Sequence, residues 1–471
     1  MSGRDAASAA AGYHQIVIIG AGVSGLYAAR RLKQLGIHDV LIVEAHGRAG
    51  GRVHEERHLV PWALPIGAEF VHGSEHNIVV EDMLKMGVTF EERQWPDWFY
   101  DRRERRLMPP AEVAEDDELQ EVMEMFDSIA EEEEDPLPDI TAEEWLRKRG
   151  ASAKQIEAAD AIFANDFGTG LAGLGVAEML IENRLWRHGP AYLTVKGSFS
   201  SVVQNLAKGA RIRHNWPVQR VSVAPEGGRA AVTLFGPNSE RLRCDRAIVT
   251  VSVAVLASGA IQFDPALPDT KVGAARRIRL GNAIKLILAF KDKFWPEEMY
   301  DVVCPGCFVP EIWMLEYPPE RDADGRPVRP AAGGTCCVVC FIAGERADQV
   351  TQMPPELAAK KCLDQLDEMF RTKEGHTPAS DACVDWRLYD WAKDPYALGA
   401  YTYPCYGAQP GDRAALAAPA CGGRVHFAGE ASHHAVNPCI QAAAETGVRA
   451  AEEAAKAVSG EAVAGRPVSR L

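Results

Sequence analysis

The stretch QIVIIGAGVSGLYAARRLKQLGIHDVLIVEA, residues 15–45, decides the fold. Its opening QIVIIG is a β-branched apolar run without polar alternation, which predicts a strand buried on both faces in a parallel sheet. Gly20-Ala21-Gly22-Val23-Ser24-Gly25 follows, then the helical text LYAARRLKQLG, then DVLIVEA over 39–45, a second strand carrying Glu44 near its end. Strand, glycine-rich turn, helix, strand, acid is the context in which G-x-G-x-x-G signals dinucleotide binding. Gly20 allows the tight turn, Gly22 lets backbone approach a pyrophosphate, and Gly25 lets helix and strand pack closely; the helix N-terminus faces the negative charge. Glu44, 19 residues after Gly25, is placed to accept hydrogen bonds from a ribose. The expected class is α/β with a Rossmann-like domain.

The whole chain of 471 residues suits about three domains at roughly 150 residues each, or two large interleaved lobes. Its 47% apolar and 25% charged residues are ordinary globular values and exclude a disordered, collagenous or coiled-coil protein. Against 66 acidic side chains stand 51 basic ones, a net charge of −15 with His neutral. Nucleic acid and anionic membrane surfaces are therefore poor partners; solubility or a cationic substrate accounts for the balance. The acidic run within 113–144 reads as a solvated helical face and loop.

All eleven cysteines lie at or after Cys244. Cys304-Pro-Gly-Cys307 and Cys337-Val-Val-Cys340 have a zinc-type spacing, but TCCVVCFIAG reads as a buried strand whose neighbouring side chains point apart. Reduced thiols and no metal are expected. MSGRDAASAAAGYHQ at the N-terminus holds no apolar core of signal-peptide length, and AIVTVSVAVLASGAI (247–261) is too short and interrupted to span a bilayer. Helical text dominates 113–210 and strands with turns fill 211–266. Further strands are expected at 335–345, 381–391 and RVHFAG, and helices at 355–371 and after Pro438.

Arg48-Ala-Gly50-Gly51-Arg52 follows Glu44, and an arginine here can neutralise a cofactor pyrophosphate by paired contacts. Together with it, IGAEFVHG (66–73), VTVSVAVLASGAIQFDPALP (249–268), GNAIKLILAFKDKFW (281–295), WAKDPYALGAYTY (391–403) and FAGEASHHAVNPCIQAAAETG (427–447) resemble, in order, the motifs of the flavin amine oxidases. Within that family the chain looks most like the polyamine oxidases of peroxisomal type.

The resemblance implies a Rossmann-like FAD-binding domain (13–80, 200–284 and 395–460) interleaved with an α+β substrate-binding domain (81–199 and 285–394), and a tail over 461–471. It places Lys285 where the family holds a water against the flavin. Arg52 and Glu430 would lie near the cofactor's phosphates and ribityl chain, Val218 at the adenine, and Ile440's N–H at the pyrimidine oxygen. FAD should be non-covalent, because Ala400 occupies the tethering position before Tyr401. Tyr401 forms one wall of the substrate cage, and its usual aromatic partner is replaced by Cys439. Glu69 and His72 lie on the segment crossing the flavin face, each either contacting substrate nitrogens or serving the fold. Asp166, Glu178 and Glu182 are candidates for a second acidic contact. Trp95, Trp98, Phe99 and Tyr100 either line the tunnel mouth or pack the core.

The implied reaction is hydride transfer from the carbon beside an uncharged amine of spermine, spermidine or an acetylated polyamine to FAD. The imine hydrolyses to an aminoaldehyde and an amine, and O2 becomes hydrogen peroxide. Ser469-Arg470-Leu471 is a conservative variant of the S-K-L address read by the peroxisomal import receptor, the alternative being a cytoplasmic location. Alternative readings are a monoamine oxidase, an L-amino-acid oxidase clamping a carboxylate with Arg184 or Arg187, a histone-lysine demethylase, and a non-catalytic carrier sharing the fold.

Overall fold

Tyr13–Ile19 and Val40–Val43 are the two strands of the opening motif, and they pair in parallel, Ile16 against Val40 through Ile19 against Val43. The helix between them, Val23–Gln34, starts inside the glycine motif. Extended Gly22 is its N-cap, with no side-chain cap and no acid in the first turn. The first-turn N–H groups are therefore left without a side-chain partner. The structure, a computed structural model, describes residues 12–93, 98–131, 138–196, 198–225, 231–316, 336–372, 375–435 and 438–459. Ser469-Arg470-Leu471 and Trp95 lie outside them.

Among the described residues the larger sheet has eight strands. Its order is Ile212–Arg213, Val40–Val43, Tyr13–Ile19, Arg241–Val249, Val232–Phe235, Arg220–Val223 and Gln262–Asp264, with Val425–Phe427 joining the far half of Arg241–Val249. The strands around Tyr13–Ile19 run parallel, as the unbroken apolar text requires; Val232–Phe235 pairs antiparallel with both its neighbours. The C-terminal helix Ile440–Ser459 packs on Val23–Gln34. The two backbones meet so closely that a Cβ on Gly447 would stand 2.2 Å from the Ser24 carbonyl oxygen.

A second sheet of seven strands runs Cys383–Asp390, Ala283–Phe290, Cys336–Ala343, Glu311–Glu316, Asp301–Val303, Trp98–Asp101 and Arg106–Met108. Its two long central strands are buried throughout, and their faces divide the sequence by alternation. Ile284, Leu286, Leu288 and Phe290, with Cys336, Val338, Cys340 and Ile342, enter one core. Ala283, Ile287 and Ala289, with Cys337, Val339 and Phe341, turn to the other face. Cys337 and Cys340 thus point apart as expected. All eleven cysteines are free, and no metal-ligand cluster occurs among the described residues. Nor is any described helix long and apolar enough to cross a membrane.

Two segments depart from the sequence reading. Tyr192–Val195, inside the helical text, is the central strand of a three-stranded sheet between Phe70–His72 and Phe90–Glu92. Val253–Ser258, inside the strand-rich stretch, is a helix, because the Ser252 hydroxyl accepts from the Val255 N–H and starts it. Trp98, Phe99 and Tyr100 are buried core residues and are not part of the wall of the main cavity. This corrects the tunnel-mouth alternative.

Candidate active site

One cavity of about 880 Å³ runs from the glycine turn to the second sheet. Gly20, Gly22, Glu44, Arg52, Trp216 and Val218 line one end. Glu69, His72, Lys285, Tyr401, Glu430, Cys439 and Ile440 belong to the same wall, as do Asp166 and Glu182. Residues from both sheets are thereby gathered around one space.

The cofactor end is shaped by backbone. Gly20 has φ +108°, open to glycine and strained for other residues. A Cβ on Gly25 would stand 2.0 Å from the Gly20 carbonyl oxygen, whereas Gly22 has nothing within 4 Å and faces open space. The buried Glu44 carboxylate accepts from the Ala21 N–H (2.7 Å) and the His46 N–H (2.8 Å), pinning turn and strand end together. The uncapped helix N-terminus behind Gly22 suits a pyrophosphate, and the length of the groove suits a dinucleotide. These features fit FAD. Arg52 donates to the Ala400 carbonyl (2.8 Å) and pairs with Glu430 (2.9 Å), whose other oxygen accepts from Thr402.

At the middle of the cavity the structure redirects one assignment, that of Glu69. Lys285 is buried on the strand Ala283–Phe290. Its ammonium donates to the carbonyls of Pro65 and Gly67, both at 3.2 Å, and to Glu69 at 2.5 Å. The three ammonium donors thus face three protein acceptors. Glu69 is likewise taken by Lys285 and is not a free carboxylate for a substrate nitrogen. Glu178 is corrected too: buried Arg413 binds it at 2.9 Å, and it lies outside the cavity wall.

Asp166 remains. It lies inside the protein yet opens on the cavity. Burial raises its carboxyl above the ordinary range, while the His72 imidazole pulls the other way. Behind it Glu311, fully buried, accepts from Trp313 Nε1 (2.6 Å) and Asn165 Nδ2 (3.1 Å). Burial and the Asp166 charge push it well above the carboxylate range. Tyr401 donates its hydroxyl to the Asp166 carbonyl at 2.9 Å, and its ring lies where a Cβ on Gly168 would be 2.7 Å away.

The aromatic wall was not legible in the sequence. Trp313 stacks on Phe341 (centroids 5.0 Å, 19°) and meets Phe70 edge-on (5.0 Å), and Phe70 stacks on Tyr192 (4.9 Å). All four line the cavity, as do Trp186 and, at the solvent end, exposed Asp127. Strand alternation marks Phe341 as sharing a face with Ala343, but its position beside Lys285 comes from inter-strand register. Cys439, buried in the same wall, has its thiol pushed well above the usual range by burial and by Glu182, Asp166 and Glu430. Arg184 and Arg187 are not in the wall, and Arg187 pairs with Glu445. The carboxylate clamp of an amino-acid oxidase is therefore not formed by them.

The family profile described as flavin containing amine oxidoreductase matches residues 23–455. The chain belongs to that family, and a flavin-dependent amine oxidoreductase is the class its fold and site define. A probable polyamine oxidase of Arabidopsis thaliana is 25% identical over 410 residues, which cover 83% of this chain and 77% of that protein. Lysine-specific histone demethylase 2 of Homo sapiens is 24% identical, covering 94% of this chain and 54% of the demethylase. The fold is that of the cyclohexylamine oxidase from Brevibacterium oxydans, with TM-score 0.75 and 22% identity over 95% of this chain and 99% of that one.

Proposed function

We propose that the protein is a polyamine oxidase holding FAD non-covalently. The observation that carries this reading is Asp166: a carboxylate opening on an aromatic-walled cavity, against which no arginine or lysine side chain makes an ion pair among the described residues. A buried carboxylate without a cation costs several kcal/mol. A ligand ammonium is the natural complement, and a second nitrogen in the same molecule then reaches the cofactor end. Bound FAD supplies the two-electron acceptor, which O2 reoxidises to give hydrogen peroxide.

The chain's own residues orient and desolvate. Tyr401, Trp313, Phe341 and Tyr192 surround the reacting carbon with low-polarity surface, which favours the uncharged amine. His72, beside Tyr192 (ring centroids 5.3 Å), and Glu182 are further polar groups along the path of an extended amine. Residues 13–80, 200–284 and 395–460 form the cofactor lobe, 81–199 and 285–394 the substrate lobe, and Ser469-Arg470-Leu471 addresses the enzyme to peroxisomes. A substrate panel with product identification by mass spectrometry tests the function. Spermine, spermidine or their acetylated forms should be oxidised to an aminoaldehyde and an amine. If benzylamine or tyramine is turned over as well as spermine, a broad monoamine oxidase takes the place of this reading.

A further inference from the structure

Lys285 sits in a cage built by a pinned loop. At Gly67 a Cβ would stand 1.7 Å from the Arg52 carbonyl oxygen, so only glycine lets the two segments touch. Next to it the Ile66 carbonyl accepts from Trp391 Nε1 at 2.9 Å. The loop therefore presents the Pro65 and Gly67 carbonyls and the Glu69 carboxylate at fixed positions, and the three acceptors match the three ammonium donors. The side chains are 5% and 8% exposed, and the ammonium stands 4.8 Å from the Trp313 ring centroid. Both residues line the cavity where cofactor end and aromatic wall meet.

We infer that Glu69 is the positioning residue of Lys285: it fixes the ammonium and cancels its charge at the cavity wall, and so sets the reduction potential of the flavin. The inference rests on the flavin reading above. Reduction adds negative charge to a flavin. A bare ammonium on the wall would favour the reduced form, and a bare carboxylate would oppose it, because charges act strongly in a water-poor cavity. The pair as built is neutral. Two carbonyls alone would hold the ammonium without cancelling its charge; the carboxylate is the group that does so.

The test is the midpoint potential of the FAD-loaded protein, measured by equilibration with a reference dye, for wild type, Glu69→Gln, Glu69→Asp, Lys285→Met and the double variant Glu69→Gln/Lys285→Met. Gln keeps the shape of Glu and can still accept from the ammonium, so the cage should survive. Glu69→Gln should favour the reduced flavin at least tenfold, a positive shift of about 30 mV for a two-electron couple. Lys285→Met should shift the potential negatively. The double variant, again neutral, and Glu69→Asp, which keeps the charge, should both return close to wild type. If Glu69→Gln binds FAD and lowers thermal stability but leaves the potential unmoved, Glu69 serves the fold alone and the inference is overturned. Equal shifts in Glu69→Asp and Glu69→Gln would overturn it as well. A wild-type protein that takes up no flavin would overturn the flavin reading first, and is recognised by the absence of yellow colour.

Discussion

Asp166 and Gly25 show how single side chains, one present and one absent, make the site. Asp166 should bind one ammonium of a polycation, and a charge-assisted contact contributes roughly 1.5–3 kcal/mol. Asp166→Asn should therefore raise the Michaelis constant for spermine about ten- to a hundredfold while leaving that of a monoamine nearly unchanged. The pH dependence has a definite sign. Burial raises the Asp166 carboxyl, and the nearby His72 only partly opposes the rise. Its charge, and with it polyamine affinity, is lost as pH falls through that raised value, earlier than for an exposed carboxylate. The acid limb of kcat/KM for spermine should shift or vanish in Asp166→Asn; an unchanged limb would place the titration elsewhere. Gly25→Ala puts a methyl 2.0 Å from the Gly20 carbonyl oxygen. Because the obstacle is backbone, strand and helix must separate, at roughly 1–3 kcal/mol or more. The variant should purify with little FAD and a lowered Tm.

Between elements, Lys271 ties the helix Asp269–Arg277 to the C-terminus of the helix Asp412–Ala417, donating to the Ala415 and Leu416 carbonyls at 2.7 Å. Its ammonium also lies 4.0 Å from the Phe427 ring centroid, next to the segment that carries Glu430. Burial, aided by Arg449, lowers its pKa to about 7. Between that value and the unfolded value near 10.4 the unfolded chain binds more protons than the folded one, so stability rises with pH across this window. Below about pH 7 both states carry the charge and the full burial cost stands. Urea midpoints measured between pH 7 and 10 should rise for the wild type, and this slope should be lost in Lys271→Met; parallel curves would show that another group titrates there.

At the scale of the molecule, the cavity draws its wall from both sheets, so a ligand that fills it stabilises the two together. Binding to the folded state alone contributes about 4 kcal/mol at a thousandfold excess over Kd. Stripping FAD should thus lower Tm markedly, and adding it back should restore the value. Ala400 stands before Tyr401 and offers no thiol, so acid precipitation should release all the yellow colour to the supernatant. A pellet that stays yellow would contradict non-covalent binding. The tail is tested separately: a fluorescent protein ending in Ser469-Arg470-Leu471 should collect in puncta, and diffuse fluorescence would refute the peroxisomal address.

The sequence alone determined what depends on neighbours along the chain. The parallel strands of 15–45, the bare Gly22 and the opposed faces of Cys337 and Cys340 follow from dihedral freedom, β-branching and the two-residue strand period. The order of motifs announced the family from the same text. Pairing at a distance was decided by tertiary structure. Nothing local says that Glu69 meets Lys285 or that Glu178 meets Arg413, across 216 and 235 positions respectively. Both carboxylates looked free for a substrate because their partners arrive on other elements. Asp166 differs in that no arginine or lysine pairs with it among the described residues, and the wall of Phe70, Tyr192, Trp313 and Phe341 forms only when four separate strands converge. A buried charge must find a partner somewhere in three dimensions, and the amino-acid order fixes which charges exist long before packing settles which of them remain for a ligand.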